Sequence, residues 1–317
     1  MSIAPYIKEI GRGKEGARSL TAEQAHELMS QVLDGQASDL EIGAFAIAMR
    51  IKGESIEELA GFLRSVHERC IPLHPTQPSL VLPSYNGARK LPNLTALLAL
   101  LLAQEGVPVL AHGPEHDPGR VTTAEIFHTL GLPIAQDSAD IHAAWARREP
   151  VFIRTEALCP PLARLLDVRR VIGLRNPGHT VAKLLAPAQG RRSLRVVNYT
   201  HPEYGRTLAE FLAATRSDAM LMRGTEGEPV ADPRRLPRLD VFIEGQLRAE
   251  LSRAAQEGVL TEMPVLPRSH DAATTSLYIQ SVVSGEKPAP APLQQQVEAL
   301  LAALAALAQH TSKELSA

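Results

Sequence analysis

The sequence predicts an α/β protein with a small N-terminal helical subdomain and a larger α/β domain built on a mostly parallel central sheet. Three observations carry this. Residues 21–70 hold apolar residues at helical spacing, interrupted by Gly35 and Gly53. The texture changes at Pro72, where short apolar runs begin to alternate with helical stretches. From Leu80 to Leu110 the chain reads strand, loop, helix, strand, the order a parallel sheet requires. The expected division is therefore 1–72 and 73–317.

Each element has a local signature. Thr21 with Gln24 reads as a capping box ahead of Ala25, Leu28, Met29, Val32 and Leu33. Ser38 opens a second helix with Ile42, Phe45, Ala46 and Met49 on one face, stopped by Gly53. Ser55 to Glu58 opens a third, with Ile56, Leu59, Phe62, Leu63 and Val66 apolar. Beyond Pro72, Leu80-Val81-Leu82 is a strand, Asn93–Glu105 a strongly apolar helix closed by Gly106, and Val107–Leu110 a strand. Helices follow at Thr122–Leu130, Ala139–Arg147 and Pro161–Val168, with a strand at Val151–Ile153. Later strands are expected at 195–197, 219–222 and 239–242, and later helices at 208–214 and 269–284. Pro288–Pro292 alternates Pro and Ala as a stiff linker. Leu293–Gln309 is a Leu/Ala-rich amphipathic helix expected to pack on the body of the protein.

Composition narrows the function classes. The 317 residues are 44% apolar, 21% charged and only 4% aromatic, so an ordinary globular core must be made from Leu, Ala, Val and Ile. The net charge of −2 does not mark a nucleic-acid binder, so any basic surface has to be local. Cys70 and Cys159 form no CxxC pair, which argues against a disulfide framework or a structural zinc and for neutral thiols in a reducing cytosol. Met1–Ile10 carries Lys8 and Glu9 and no signal-peptide core. No uncharged run reaches the roughly 18 residues of a membrane span. A cytoplasmic protein with no membrane partner is expected, in which Asn93-Leu94-Thr95 and Asn198-Tyr199-Thr200 are chance sequons.

The loop Pro83-Ser84-Tyr85-Asn86-Gly87-Ala88-Arg89-Lys90 lies between a strand and a helix N-terminus, where exposed amides and the helix dipole favour an anion. A phosphate cradle there wants glycines, and this loop is poor in them.

Residues 20–68, 80–113 and 173–187 resemble anthranilate phosphoribosyltransferase, a glycosyltransferase-family-3 enzyme of the nucleoside phosphorylase/phosphoribosyltransferase fold. The resemblance is most specific at Asn93-Leu94-Thr95, at His112-Gly113 and in the stretch ending at Pro187. It implies an N-terminal helical subdomain that forms a homodimer surface, with Ile42, Phe45 and Met49 on it, and helices from about 160–188 packing on that subdomain. It also implies use of phosphoribosyl diphosphate and magnesium. The departures fall on the residues that handle those groups. The family's Gly-Thr-Gly-Gly-Asp is Pro83-Ser84-Tyr85-Asn86-Gly87 here, so an amide donor is lost at Pro83, Tyr85 adds bulk, and only the hydroxyl of Ser84 survives in kind. Asn93 and Thr95 remain, but the next hydroxyl is Ala96. The family's Lys-His-Gly-Asn-Arg is Ala111-His112-Gly113-Pro114-Glu115, which turns a cation into a carboxylate. The adjacent acids that hold magnesium become the separated pair in Arg223-Gly224-Thr225-Glu226-Gly227-Glu228-Pro229. Arg175 matches the arginine that contacts the aromatic substrate.

This pattern is similar to the YbiB-type branch of the family, whose members lack the activity and bind DNA and RNA with little sequence preference as homodimers. The resemblance implies a nucleic-acid-binding protein with no catalytic residue, no metal site and no cofactor; magnesium enters only if the chain is instead a transferase with an altered substrate. The expected nucleic-acid contacts are Arg89, Lys90, Arg120, Arg169, Arg170, Arg175, Lys183 and Arg206. The expected remnant cleft is Ser84, Tyr85, Asn86, Gly87, Asn93, Thr95, His112, Gly113 and His179. Charge points the same way. Arg164, Arg169, Arg170, Arg175, Lys183, Arg191, Arg192 and Arg195 face only Asp167 in that stretch, and Arg223, Arg234, Arg235 and Arg238 add basic spots. A regulatory protein that keeps the cleft to bind a small molecule is a further alternative.

Overall fold

A computed structural model describes residues 2–13, 15–188, 193–258 and 264–314, with the side chains described as far as residue 309. They form two units: residues 1–71 with 155–187, and residues 72–154 with 188–317. The chain leaves the α/β unit after its fourth strand and re-enters it before the fifth.

The helical unit contains α1 (Ala4–Ile10), α2 (Ala22–Leu33), α3 (Asp39–Lys52), α4 (Ile56–His67), α8 (Thr155–Leu158), α9 (Pro160–Ile172) and α10 (Pro177–Leu184). Reciprocal capping boxes start four of them: Thr21 with Gln24, Ser38 with Glu41, Ser55 with Glu58, and Asn176 with His179. Gly53 closes α3 at φ 80°, whereas α4 ends at Glu68 without a glycine. Helices α2 and α4 approach closely because residue 61 is glycine. A Cβ there would lie 2.8 Å from the amide nitrogen of His26. Phe45 meets Phe62 edge to face, ring centroids 5.9 Å apart. Phe45 and Met49 are thus core residues, fully buried, and the outward apolar positions of α3 are Leu40, Ile47 and Ile51.

Helix α1, helix α10 and the single-turn α8 are not expected from periodicity. Each is too short, or too interrupted by Pro5, Pro177 and Gly178, to show a repeating apolar face. Asn176 still caps α10 in a recognisable way, donating to Leu165 O at 2.7 Å and accepting from Gly178 N at 2.9 Å.

The α/β unit is an eight-stranded sheet ordered β3-β4-β2-β1-β5-β6-β7-β8. Its strands are β1 (Ser79–Pro83), β2 (Val109–Gly113), β3 (Ile134–Ala135), β4 (Val151–Arg154), β5 (Ser193–Tyr199), β6 (Ala219–Arg223), β7 (Leu239–Ile243) and β8 (Gln246–Leu247). The pairings through β6 are parallel, and β7 and β8 add antiparallel edges. The short β3 and β8 carry too few residues to be read from pattern.

Helix α5 (Thr95–Gln104) is apolar on all sides and accordingly buried. With α6 (Thr123–Leu130), α12 (Ala272–Val283) and α13 (Ala291–Glu314) it forms the main core on one face of the sheet. Leu293, Leu300, Leu304 and Leu307 lie in that core, so α13 packs on the body as its composition suggests. Helix α7 (Ser138–Ala146) follows β3, and α11 (Glu203–Ala214) connects β5 to β6. The β1-to-β2 and β5-to-β6 crossovers run in opposite directions from the central β1/β5 pair, so right-handed connections put α5 and α11 on opposite faces. That pair is the topological switch point, and the crevice beyond its carboxyl ends is where such sheets bind ligands. Among the described residues, no helix is long and apolar enough to cross a membrane.

One buried charge organises the helical unit. Glu58 is fully buried; it pairs with Lys52 at 2.6 Å and accepts from the amides of Leu20 at 2.9 Å and Ser55 at 2.8 Å. Glu58→Ala leaves that ammonium and two amides unmatched, and its expected cost is about 3–5 kcal/mol, measurable as a fall in the urea midpoint.

Candidate functional site

The loop after β1 runs along the switch-point crevice, and the chain's own carboxylates fill it. Glu228 is 1% exposed. Its Oε1 accepts from the amides of Asn86 and Gly87, both at 2.8 Å. Its Oε2 accepts from the Ser84 hydroxyl and, at 3.3 Å, from Thr123 Oγ1. Glu226 does the same one step further along: its Oε2 accepts from the amides of Arg89, Lys90 and Leu91 at 3.0, 3.1 and 3.2 Å. The segment 84–91 therefore makes two successive anion nests, each seated on a carboxylate.

Gly227 makes this double docking possible. It stands at φ 89°, and a Cβ there would collide with the Asn86 side-chain amide. Asn86 Nδ2 instead donates to Glu226 O at 3.0 Å. Glu226 itself takes a left-handed φ of 54°, strain that the three amides on its side chain offset. Burial opposes ionisation of Glu226, yet the amides of Lys90, Arg89 and Leu91 and the charge of Arg120 outweigh it, so its pKa lies below the ordinary glutamate value.

The other expected cleft residues support this arrangement. Asn93 Nδ2 donates to Thr123 Oγ1 at 3.0 Å, and Asn93 Oδ1 accepts from Thr95 N at 3.1 Å. The Thr95 hydroxyl is buried without a hydrogen-bond partner. Tyr85 packs edge-on against His112, centroids 5.5 Å apart, and its hydroxyl lies 3.1 Å from His112 Nδ1. Gly113, at the end of β2, approaches Ser84 so closely that a Cβ would run into the Ser84 carbonyl. His179 belongs to the helical unit. Its Nδ1 accepts from Asn176 N at 3.3 Å, and burial, with Arg175, Arg169 and Lys183, lowers its pKa to about 4. It is a neutral capping residue at neutral pH.

The basic residues divide between the units. Arg169, Arg170, Arg175 and Lys183 lie in the helical unit, with Arg170 3.1 Å from Asp167. Arg191 and Arg192 lie outside the described residues. Arg195 is not surface charge at all: it is 8% exposed on β5 and donates to Ser217 Oγ. The run from 164 to 195 is therefore not one basic face.

In the α/β unit Arg120 donates to Gly87 O at 3.1 Å and so braces the loop, and the exposed Arg206 on α11 stands 3.9 Å from Glu210. Arg89 and Lys90 are exposed beside the nests. A cavity of about 830 Å³ opens there, lined by Lys90, Arg223, Arg234, Arg235 and Arg238 with Tyr199, Glu226 and Asp232. Arg234 is bidentate to Asp232 at 2.9 and 2.8 Å, and Arg238 is held by Asp240 at 2.8 Å. Among the described residues Lys90, Arg223 and Arg235 have no carboxylate at ion-pairing distance. The basic spots at 223 and 234–238, separate in sequence, converge here.

Sheet order, filled cradle and helical unit together define a phosphoribosyltransferase-like scaffold. Residues 4–70 match the glycosyl transferase family helical bundle domain. The fold is that of anthranilate phosphoribosyltransferase. The enzyme from Thermus thermophilus superposes with a TM-score of 0.69 over 96% of this chain and 89% of its own, at 20% identity. The Saccharomyces cerevisiae enzyme in complex with PRPP and Mg gives 0.62 over 98% of both chains, at 12% identity. By sequence, the anthranilate phosphoribosyltransferase of Synechococcus sp. (strain JA-3-3Ab) is 27% identical over 91% of this chain and 83% of its own. The Escherichia coli (strain K12) protein YbiB is 39% identical over 96% of this chain and 94% of its own, and the chain belongs to the YbiB family.

A magnesium ion does not fit the residues present. Both carboxylate oxygens of Glu228 and Oε2 of Glu226 are turned onto amides and hydroxyls, so the two acids do not present the pair of free carboxylates that magnesium would share with substrate phosphates. In sequence the acids at 226 and 228 stand out only as separated metal ligands. Their docking on the loop is not read from the sequence, although the alternation Glu-Gly-Glu is a signal for it, because only a glycine permits the approach.

Two outcomes follow from the docked carboxylates. Glu228→Ala strands the Asn86 and Gly87 amides, and urea unfolding is expected to show a loss on the order of 3 kcal/mol. Because the folded pKa of Glu226 is depressed, its contribution is present above the ordinary glutamate pKa and lost as pH falls through the folded value. Stability measured from pH 7 down to about pH 3 is expected to decline less steeply in Glu226→Gln than in the wild type.

Proposed function

We propose that the chain is a nucleic-acid-binding protein, tolerant of sequence, on a phosphoribosyltransferase-like scaffold that has given up diphosphate chemistry. The observation that carries this reading is the pairing of a filled anion cradle with an open cation-lined cavity beside it. The amides that would hold a diphosphate are engaged by Glu228 and Glu226, and a diphosphate approaching them meets two carboxylates instead of free donors. The exposed charge next to them has the opposite sign, in Lys90, Arg223 and Arg235. Guanidinium and ammonium groups without internal partners are suited to the phosphodiester backbone. Arg89, Arg120 and Arg206 add charge to the same unit, and Arg169, Arg170, Arg175 and Lys183 supply basic side chains in the helical unit.

A mobility-shift titration with mixed-sequence DNA and RNA at two salt concentrations tests this. Tight binding at low salt that weakens steeply as salt rises is the expected result. Absence of binding at low salt, or binding indifferent to salt, refutes it. Titration calorimetry with phosphoribosyl diphosphate and magnesium is expected to be silent; magnesium-dependent heat would favour the altered-transferase reading instead.

The proposal includes a homodimer through the helical unit. Leu40, Ile47 and Ile51 are 84%, 46% and 63% exposed on α3, more apolar surface than one helix of a lone protomer needs to show. An Ile47→Glu/Ile51→Glu variant is expected to elute as a monomer with unchanged circular dichroism. A dimer that survives both substitutions places the interface elsewhere.

A further inference from the structure

We propose that Cys70 and Cys159 are a dithiol pair that closes to a reversible disulfide under peroxide, stapling together two places where the chain passes between its units. The pair is independent of the nucleic-acid reading above. Helix α4 ends at His67, and Cys70 stands beside the first crossing, between residues 71 and 72. Cys159 follows the second crossing, between residues 154 and 155, and is the residue before α9. Distant in sequence, the two segments meet backbone to backbone, with the Ile71 amide donating to Leu158 O at 2.9 Å. That bond joins the immediate neighbours of both cysteines. The thiols also share one carbonyl: Cys70 Sγ lies 3.3 Å from Val66 O and Cys159 Sγ lies 3.8 Å from it. The two side chains are hydrogen-bonded to each other as well.

The pair is asymmetric. Cys159 has no exposed surface, and Cys70 is half-buried. Donation from the Cys70 thiol lowers the pKa of Cys159 against the effect of burial, helped by the Leu162 amide and the charges of Arg69 and Arg164. Pro160 and Pro161 carry no amide hydrogen, so Leu162 offers the first donor of α9; it lies near the sulfur without making a cap hydrogen bond. The two cations are themselves held in place, Arg69 by Asp34 at 2.7 Å and Arg164 by Leu33 O at 3.2 Å. The same donation, with burial, pushes the Cys70 thiol up. Cys159 is therefore the nucleophile and Cys70 the thiol that resolves it.

The oxidant has to be small, because the nucleophile has no exposed surface; hydrogen peroxide meets that demand and a protein disulfide does not. The Cys159 thiolate attacks one peroxide oxygen. The O–O bond breaks, Cys159 becomes a sulfenic acid, and hydroxide leaves and takes up the proton that the thiol had given up. The Cys70 sulfur then attacks the Cys159 sulfur. The S–S bond forms, and the hydroxyl departs as water with the Cys70 proton. Two thiols have lost two electrons, and the peroxide has been reduced to two waters. The new bond closes residues 71–158, which hold β1 to β4 and α5 to α8, into one covalent loop. Cross-linking so long a loop removes many conformations from the unfolded chain and leaves the folded contacts in place.

The experiment exposes the reduced full chain to hydrogen peroxide without denaturant. The chain holds two cysteines, so an intramolecular disulfide can join no other pair. Thiols titrated after unfolding are expected to fall from two to none, with a single chain on a non-reducing denaturing gel and both thiols restored by dithiothreitol. The oxidised chain is expected to unfold at a higher urea midpoint than the reduced chain, and to lose that gain when reductant is added. In Cys70→Ser, peroxide is expected to leave a sulfenic acid on Cys159 that dimedone traps, and Cys159→Ser is expected to trap it more slowly. The staple is overturned if the wild type keeps both thiols under peroxide that fully oxidises free glutathione, if the disulfide forms only after urea unfolds the chain, if it links two chains, or if the midpoint does not rise. Faster trapping in Cys159→Ser overturns the assignment of the nucleophile. The wild-type thiol count needs no substitution, so it decides the matter even where a serine variant fails to fold.

Discussion

The geometry of the α/β unit's crevice depends on the docking of Glu228 and Glu226 onto the loop after β1. Five backbone amides from residues 86–91 would otherwise point at a crevice with nothing to satisfy them. Here the demand is met permanently and within the chain. The loop is therefore ordered without a ligand. Its side chains are engaged in the same way: Tyr85 leans on His112, and Asn86 reaches across to Glu226 O.

Most of the fold is legible in the sequence, and the reasons are local. The capping box at Thr21 and the starts at Ser38 and Ser55 mark helices that the structure keeps, and alternation of apolar runs with helical stretches gives a mostly parallel sheet. Elements of a single turn or two residues, such as α8 and β3, have no period to detect. The site is legible only as a loss. Residues 83–87 lack the glycines that a phosphate cradle wants, and that is visible in the sequence. What takes the vacated place is not, because the partner lies 144 residues away at Glu228, and no local pattern specifies which acid will cross that distance.

Charge shows the same division between local and long-range information. The densest basic stretch in the sequence, 164–195, suggests one surface. In the fold it is divided: Arg195 enters the sheet as a buried donor, while Arg169, Arg170, Arg175 and Lys183 stay with the helical unit. The residues that do converge, Lys90, Arg223, Arg234 and Arg235, come from separate turns that the parallel sheet brings to one end. Parallel strands put all their carboxyl ends on one edge, so side chains just beyond β1, β5 and β6 become neighbours whatever their sequence separation. Density along the chain is thus a poor guide to density in space, and the sheet topology is the better one.

The filled cradle and the open cavity are two consequences of one segment. Residues 223–228 supply Arg223 to the cavity, Glu226 to the wall between cavity and loop, and Glu228 to the deepest nest, with Gly227 as the joint that lets both carboxylates dock. An external diphosphate would have to displace ligands that are covalently tethered and already in place, which an intramolecular partner resists through its high effective concentration. It would also have to bring its charge against theirs. The same tethered carboxylates do nothing to hinder an anion that stays outside the nests and meets only the side-chain cations. The segment therefore sets two kinds of anion donor at different depths: backbone amides, already engaged by carboxylates, inside, and guanidinium and ammonium groups outside.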